Sequence, residues 1–249
     1  MLVHGYVTGE AEAEARRDDG DTATARVTID PNFGCEHLEQ RILRFAPGRT
    51  RPRGGQIREE VLFVLSGTGE LLLGGTVHPL GPETGAYVAP GQRYEVENPG
   101  PDELVVVSVL ALESDGERQT EPGRATVRLA DQPPHPAGKD REFRYVVNEQ
   151  TGCRTVTQFV GSIPPGRAKW HYHEYEEVAF ILGGEGVLHI AGQKLPVAAG
   201  SCIHFPRLEP HILENVGDRP LRVLGVFHPA GDPSMAFNVP ELDEREERE

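Results

Sequence analysis

Along the chain, short apolar runs alternate with Gly- and Pro-rich breaks, and few stretches keep a helical period. In the second half the runs fall at 143–148, 153–162, 168–173, 177–182, 186–190, 201–205, 210–214 and 221–227. Turn formers such as Pro164-Pro165-Gly166, Gly183-Gly184 and Ala191-Gly192 separate them. Strand-length runs at this spacing predict an all-β sandwich or barrel.

The pattern occurs twice. Gly34-Cys35 recurs as Gly152-Cys153 and Pro47-Gly48-Arg49 as Pro165-Gly166-Arg167, both 118 residues further on (152−34 and 165−47). One residue is then lost, and EEVLFVLSGTGEL at 59–71 matches EEVAFILGGEGVL at 176–188, an offset of 117 (176−59). Asn98 answers Asn215, and LVVVSVL at 104–110 answers LRVLGVF at 221–227. An ordered match of this length marks a tandem duplication, so two barrels are expected. The boundaries read as an N-terminal arm over 1–25, a first barrel over 26–112 and a polar, Pro-rich linker over 113–141. A second barrel over 142–232 and an acidic tail over 233–249, solvated and frayed, complete the chain.

The chemistry sits in one copy. His171, His173 and Glu177 share parity, so an extended chain can turn all three to one face. His211 follows on a later strand, after Pro206 and before Asn215. Three imidazoles and a carboxylate inside a barrel would hold one divalent transition metal with positions left open, and nitrogen-rich ligation disfavours Ca²⁺ and Mg²⁺. At the equivalent positions the first copy has Gly54, Gln56, Glu60 and Tyr94, so it keeps the scaffold without the histidines. An isolated His-x-His is more often a pair of ordinary strand residues. Glu177 and His211 at this spacing weigh against that here.

His171-x-His173-x3-Glu177 and Pro206-x4-His211-x3-Asn215 resemble the two signature motifs of the cupin superfamily. Gly166 stands one residue closer to the first histidine than is usual, and Leu208 replaces a motif glycine. The resemblance implies two tandem double-stranded β-helix (jelly-roll) barrels, a bicupin with metal ligands only in the C-terminal barrel. It also implies an enzyme acting on a small oxygenated organic substrate. The leading expectation is a dioxygenase-type reaction at Mn or Fe, with Ni, Cu, Co and Zn as other ions. Redox-neutral chemistry (decarboxylase, isomerase or aminohydrolase) and a non-catalytic binding or storage-like role are the alternatives. The duplicated layout also resembles the ureidoglycine aminohydrolases, bicupins of similar length with a metal in the C-terminal barrel.

Tyr175 and His204 are candidate catalytic or supporting residues, weighed against an aromatic plug and a core histidine. His189 and His228 read as structural, Phe159, Ile163, Phe180 and Phe205 as barrel lining, and Cys202 as a small buried hydrophobe. The formal charge of −14 and pI near 5.2 argue against nucleic acid, which requires a basic face. The odd count of three cysteines, the absence of an apolar leader and the absence of a membrane-length run predict a reduced, cytoplasmic protein with no membrane partner. Open sheet edges predict a homodimer.

Overall fold

A computed structural model of the chain describes residues 6–112, 124–138 and 140–246. Residues 1–5 of the expected arm, 113–123 and 139 of the expected linker, and 247–249 of the tail lie outside it. The fold is all-β, as expected. Each repeat builds a seven-stranded sheet facing a five-stranded one, and the two sheets of a repeat enclose its core.

The order of strands in the first large sheet is Thr126–Arg128, Thr84–Val88, Glu60–Ser66, Leu104–Ala111, Leu38–Phe45, Ala23–Ile29, Ala15–Arg16. In the second it is Val7–Gly9, Ser201–Phe205, Glu176–Gly183, Leu221–His228, Thr157–Ile163, Glu142–Val147, His135–Pro136. The N-terminal arm therefore crosses over. Val7 pairs with Ile203 and Gly9 with Ser201, so Val7–Gly9 edges the second barrel. Residues 126–128 and 135–136, which read as linker, extend one large sheet each.

The central strands show why the two barrels stay together. All eight residues of Leu104–Ala111 are buried, a pattern expected only when both faces are covered. Val106 and Leu62 point into the first barrel, while Val107, Val109, Val61 and Phe63 point outward. In the second copy Ala179 and Ile181 point in, while Val178 and Phe180 point out. The outward sets form one apolar layer between the barrels. Burying a Val, Leu or Phe stabilises by about 1.5–3 kcal/mol, so this layer ties the repeats into one body. Phe180, read as barrel lining, belongs to this layer because its parity opposes that of Glu177.

A reciprocal polar clasp crosses the layer. Both oxygens of Glu176 accept hydrogen bonds from the first repeat, from the backbone N–H of Glu36 at 3.0 Å and of His37 at 2.7 Å. The matching Glu59 accepts from Tyr87 Oη at 2.6 Å and reaches across to Cys153 Sγ at 3.3 Å and the Thr155 hydroxyl. Glu59 and Glu176 are repeat equivalents, and so are Cys35 and Cys153.

Candidate metal centre

The second barrel brings its three predicted histidines together. His171 pairs directly with His211 across antiparallel strands. His173 lies just past its short strand, where its carbonyl accepts from Leu208 N at 2.8 Å. Leu208 adopts φ 61°, the left-handed conformation for which the motif glycine is suited. Ring centroids stand 4.7 Å apart for His171 and His211, 5.0 Å for His173 and His211, and 5.2 Å for His171 and His173. One ligand nitrogen of each lies within 4.8 Å of the others.

Each Nδ1 faces a backbone carbonyl: Lys169 O at 2.9 Å for His171, Met235 O at 3.3 Å for His173 and Glu209 O at 2.9 Å for His211. A carbonyl only accepts, so each Nδ1 carries the proton and each Nε2 keeps a free lone pair. Burial holds all three imidazoles below the ordinary histidine range, His173 at about 4 and His211 well below the usual value. Repulsion among the three rings adds to this for His173 and His211. Three neutral imidazoles with like tautomers suit a divalent transition metal.

Glu177 stands apart from the trio. It is buried and points into the barrel, but it is not within ligand distance of all three nitrogens. It makes no hydrogen bond among the described residues, and burial pushes its carboxyl up to about 8. The Nε2 atoms of the trio offer lone pairs and no proton, so they give an ionised Glu177 no hydrogen bond.

The first repeat shows how one oxygen of a carboxylate at this position is otherwise satisfied. Glu60 Oε1 accepts from Tyr94 Oη at 3.1 Å and Ser108 Oγ at 2.5 Å. In the second repeat those two positions hold His211 and Gly225. A Cβ on Gly225 would come within 2.6 Å of Glu177 Oε1 and 2.4 Å of the Phe159 ring. Gly225 is a site residue that motif reasoning passed over. Its only sequence signal is a glycine inside an apolar strand where the other copy has serine.

Tyr175 stacks on His173 with centroids 4.7 Å apart and on Phe227 at 3.9 Å. Burial and the neighbouring Glu177 push its phenol up, so it stays protonated. His204 is on the opposite face of its strand from the trio. Its Nε2 donates to Glu176 Oε1 at 3.0 Å within the inter-barrel layer, so it cannot reach the histidines. Alternation along Ser201–Phe205 explains this, since Ile203 and Phe205 point inward. His189 Nε2 meets Glu214 Oε2 at 2.7 Å, away from the centre.

The tail is a second addition. Phe237 and Asn238 pair with Tyr172 and His171, extending the ligand strand. Val239 N donates to Trp170 O at 2.8 Å, and Trp170 N donates to Asp243 Oδ1 at 3.2 Å in the helix Pro240–Glu246. Residues 235–243 therefore fix the entry to the histidines.

Two facing sheets per repeat, with a three-histidine cluster in one barrel, define a tandem jelly-roll protein with a candidate metal centre in its second repeat. The chain belongs to the cupin family: the cupin domain model matches residues 41–110 and 159–227, more than half its length. It is 41% identical over 67 residues to an oxalate-binding protein of Thermotoga maritima, covering 26% of this chain and 55% of that one. It is 34% identical over 71 residues to an uncharacterized protein of Methanocaldococcus jannaschii, covering 27% and 57%. The chain thus spans little more than half the length of these relatives. Oxalate decarboxylase OxdC of Bacillus subtilis superposes with a TM-score of 0.75 at 14% identity, over 96% of this chain and 81% of that one. Protein YlbA of E. coli gives a TM-score of 0.74 at 15% identity, over 92% and 93%. No helix of the described residues is long and apolar enough to cross a membrane.

Proposed function

We propose that this bicupin is a metal-dependent enzyme acting on a small organic acid at His171, His173, His211 and Glu177. The observation that carries the reading is the pairing of three Nε2 lone pairs, each fixed by an Nδ1–carbonyl contact, with a buried carboxylate that has no donor among the described residues. These four residues would hold the metal, which when bound would supply Lewis-acid or redox chemistry to a small acid. Mn fits the donor set, and Mn(II) centres are named for the B. subtilis oxalate decarboxylase of the same fold.

This chain's own residues shape the rest of the site. Tyr175 and Phe205 wall the histidines and exclude water, which strengthens every charge interaction inside. Met235 O holds the tautomer of His173. The names of the relatives favour oxalate-like acids, and so favour a redox-neutral cleavage such as decarboxylation over the dioxygenase-type reaction first expected.

The test is elemental analysis of purified protein beside a His171→Ala/His211→Ala variant, followed by assay of CO₂ release and O₂ uptake with a panel of small acids. About one transition-metal ion per chain, lost in the variant, is expected. CO₂ release without O₂ uptake supports decarboxylation, and coupled O₂ uptake restores the dioxygenase reading. Metal binding without turnover leaves a binding protein. No metal under any loading refutes the centre.

A further inference from the structure

The first barrel, which lacks the histidines, keeps a pocket of about 270 Å³ at its mouth. Four arginines line it: Arg41, Arg51, Arg53 and Arg58. In a chain of net charge −14 this concentration of guanidinium is unusual. Two of the four are already paired. Arg41 bonds Glu39, and Arg53 Nη1 donates to the buried Asp21 Oδ2 at 3.1 Å. Asp21 also accepts from Arg51 N at 3.2 Å, which fixes the rim. Arg51 and Arg58 form no ion pair among the described residues. By the repeat alignment, Arg41 and Arg58 stand where the metal barrel has Phe159 and Tyr175.

The floor carries the opposite requirement. Glu60 lines the pocket and is buried, and its Oε1 takes the hydroxyls of Tyr94 and Ser108. Its Oε2 accepts no hydrogen bond among the described residues. A pocket with two unpaired guanidiniums at the mouth and an unmet carboxylate oxygen on the floor needs a ligand with both an acceptor and a donor end. Guanidinium binds carboxylate in a two-point fork, and a volume just below the usual drug-sized range suits a small ligand.

We infer that the first barrel is a metal-free binding site for a small carboxylate bearing a hydroxyl or ammonium group, held by Arg51 and Arg58 at the mouth and Glu60 on the floor. The site is independent of the metal centre, so it is tested in the His171→Ala/His211→Ala protein. Calorimetric titration there with lactate, glycine, propionate and inorganic phosphate separates the ligand chemistries. Lactate or glycine should bind at one site per chain and at least tenfold more tightly than propionate, which lacks the donor. Arg51→Ala/Arg58→Ala should weaken that binding at least tenfold. These arginines are exposed, so the fold should survive their loss. Glu60→Gln should abolish the preference over propionate, and if that variant does not fold, the arginine pair decides alone. Equal affinity for propionate, preference for phosphate, undiminished binding in the arginine variant, or no binding at all would each overturn the inference.

Discussion

Glu176→Gln tests whether the inter-barrel clasp is structural. The wild-type carboxylate is almost wholly buried and receives three donors: Glu36 N and His204 Nε2 at 3.0 Å, and His37 N at 2.7 Å. Burial alone would raise its carboxyl, but the donors outweigh it and hold the group at about 2 against an ordinary 4.5. At 1.36 kcal/mol per pKa unit, that difference is worth about 3 kcal/mol at neutral pH. Glutamine keeps one acceptor oxygen but turns an NH₂ towards fixed backbone donors, leaving at least one unsatisfied at a cost of about 1–3 kcal/mol. The expected loss is therefore about 2–4 kcal/mol, or a fall in Tm of roughly 4–16 °C for a chain of this size. A carboxyl with a depressed folded pKa stabilises above its unfolded value and loses that contribution as pH falls. The gap between wild type and variant should therefore be complete above pH 4.5 and close towards pH 2. Denaturant unfolding at pH 7 and across this acid range measures it. The matching Glu59→Gln should cost less, because its partners are hydroxyls and a thiol that can rotate to suit an amide. A Glu176→Gln loss below 1 kcal/mol at pH 7, or a gap unchanged at low pH, would refute the clasp.

Other perturbations address the centre and its frame. Gly225→Ser should crowd Glu177 and Phe159 and reduce metal content per chain by at least half in elemental analysis, because Cβ alone would sit 2.6 Å from the carboxylate. Leu208→Gly should raise stability by about 0.5–1 kcal/mol in chemical denaturation, since relief of left-handed strain exceeds the added entropy of the unfolded chain. Truncation after residue 232 removes the Met235 carbonyl from His173 and the strand beside His171, and should weaken metal binding about 10–100-fold in a competition titration with a chelator.

The legible parts of this protein were those that repeat or alternate. The two barrels followed from the doubled turns and strands, and the histidine trio from matched parity and a later His before Asn. Asn215 itself proved to be scaffold: its Nδ2 donates to Ile163 O and Arg219 O at 2.8 Å, as Asn98 does to Phe45 O and Asp102 O. Other elements carried no such signal. Gln193–Ala198 is largely exposed and contains a proline, so neither hydrophobic period nor composition marked it as a strand. The predicted strand 168–173 contracts to His171–Tyr172, because the barrel mouth leaves the residues before it few partners. Val7–Gly9 is too short to show a period, and its partner lies nearly two hundred residues away. The last nine residues are nearly all charged, so composition suggested a solvated end. Its docking depends on a few backbone bonds that composition does not record. The places of Glu176 and His204 depended on which face of a doubly buried strand looks outward, and a continuous apolar run hides that parity.

The comparison of the two barrels separates what the fold requires from what the chemistry requires. Both keep a buried glutamate at the same register, Glu60 and Glu177, and both keep the Asn brace. In the first barrel Tyr94 and Ser108 donate to one oxygen of the carboxylate, so that oxygen is satisfied within the protein. In the second, His211 offers only a lone pair and Gly225 offers nothing, leaving the carboxylate among acceptors. Burying such a group uncompensated is costly, and a divalent cation answers the carboxylate and the imidazoles together. The first barrel must be retained all the same. Its Glu36 and His37 amides hold Glu176, next in sequence to Glu177, and its outward face supplies half of the apolar layer behind the ligand-bearing sheet. Removing that barrel would expose the back of the strand that carries Glu177, so the barrel without histidines is part of the support for the one that has them.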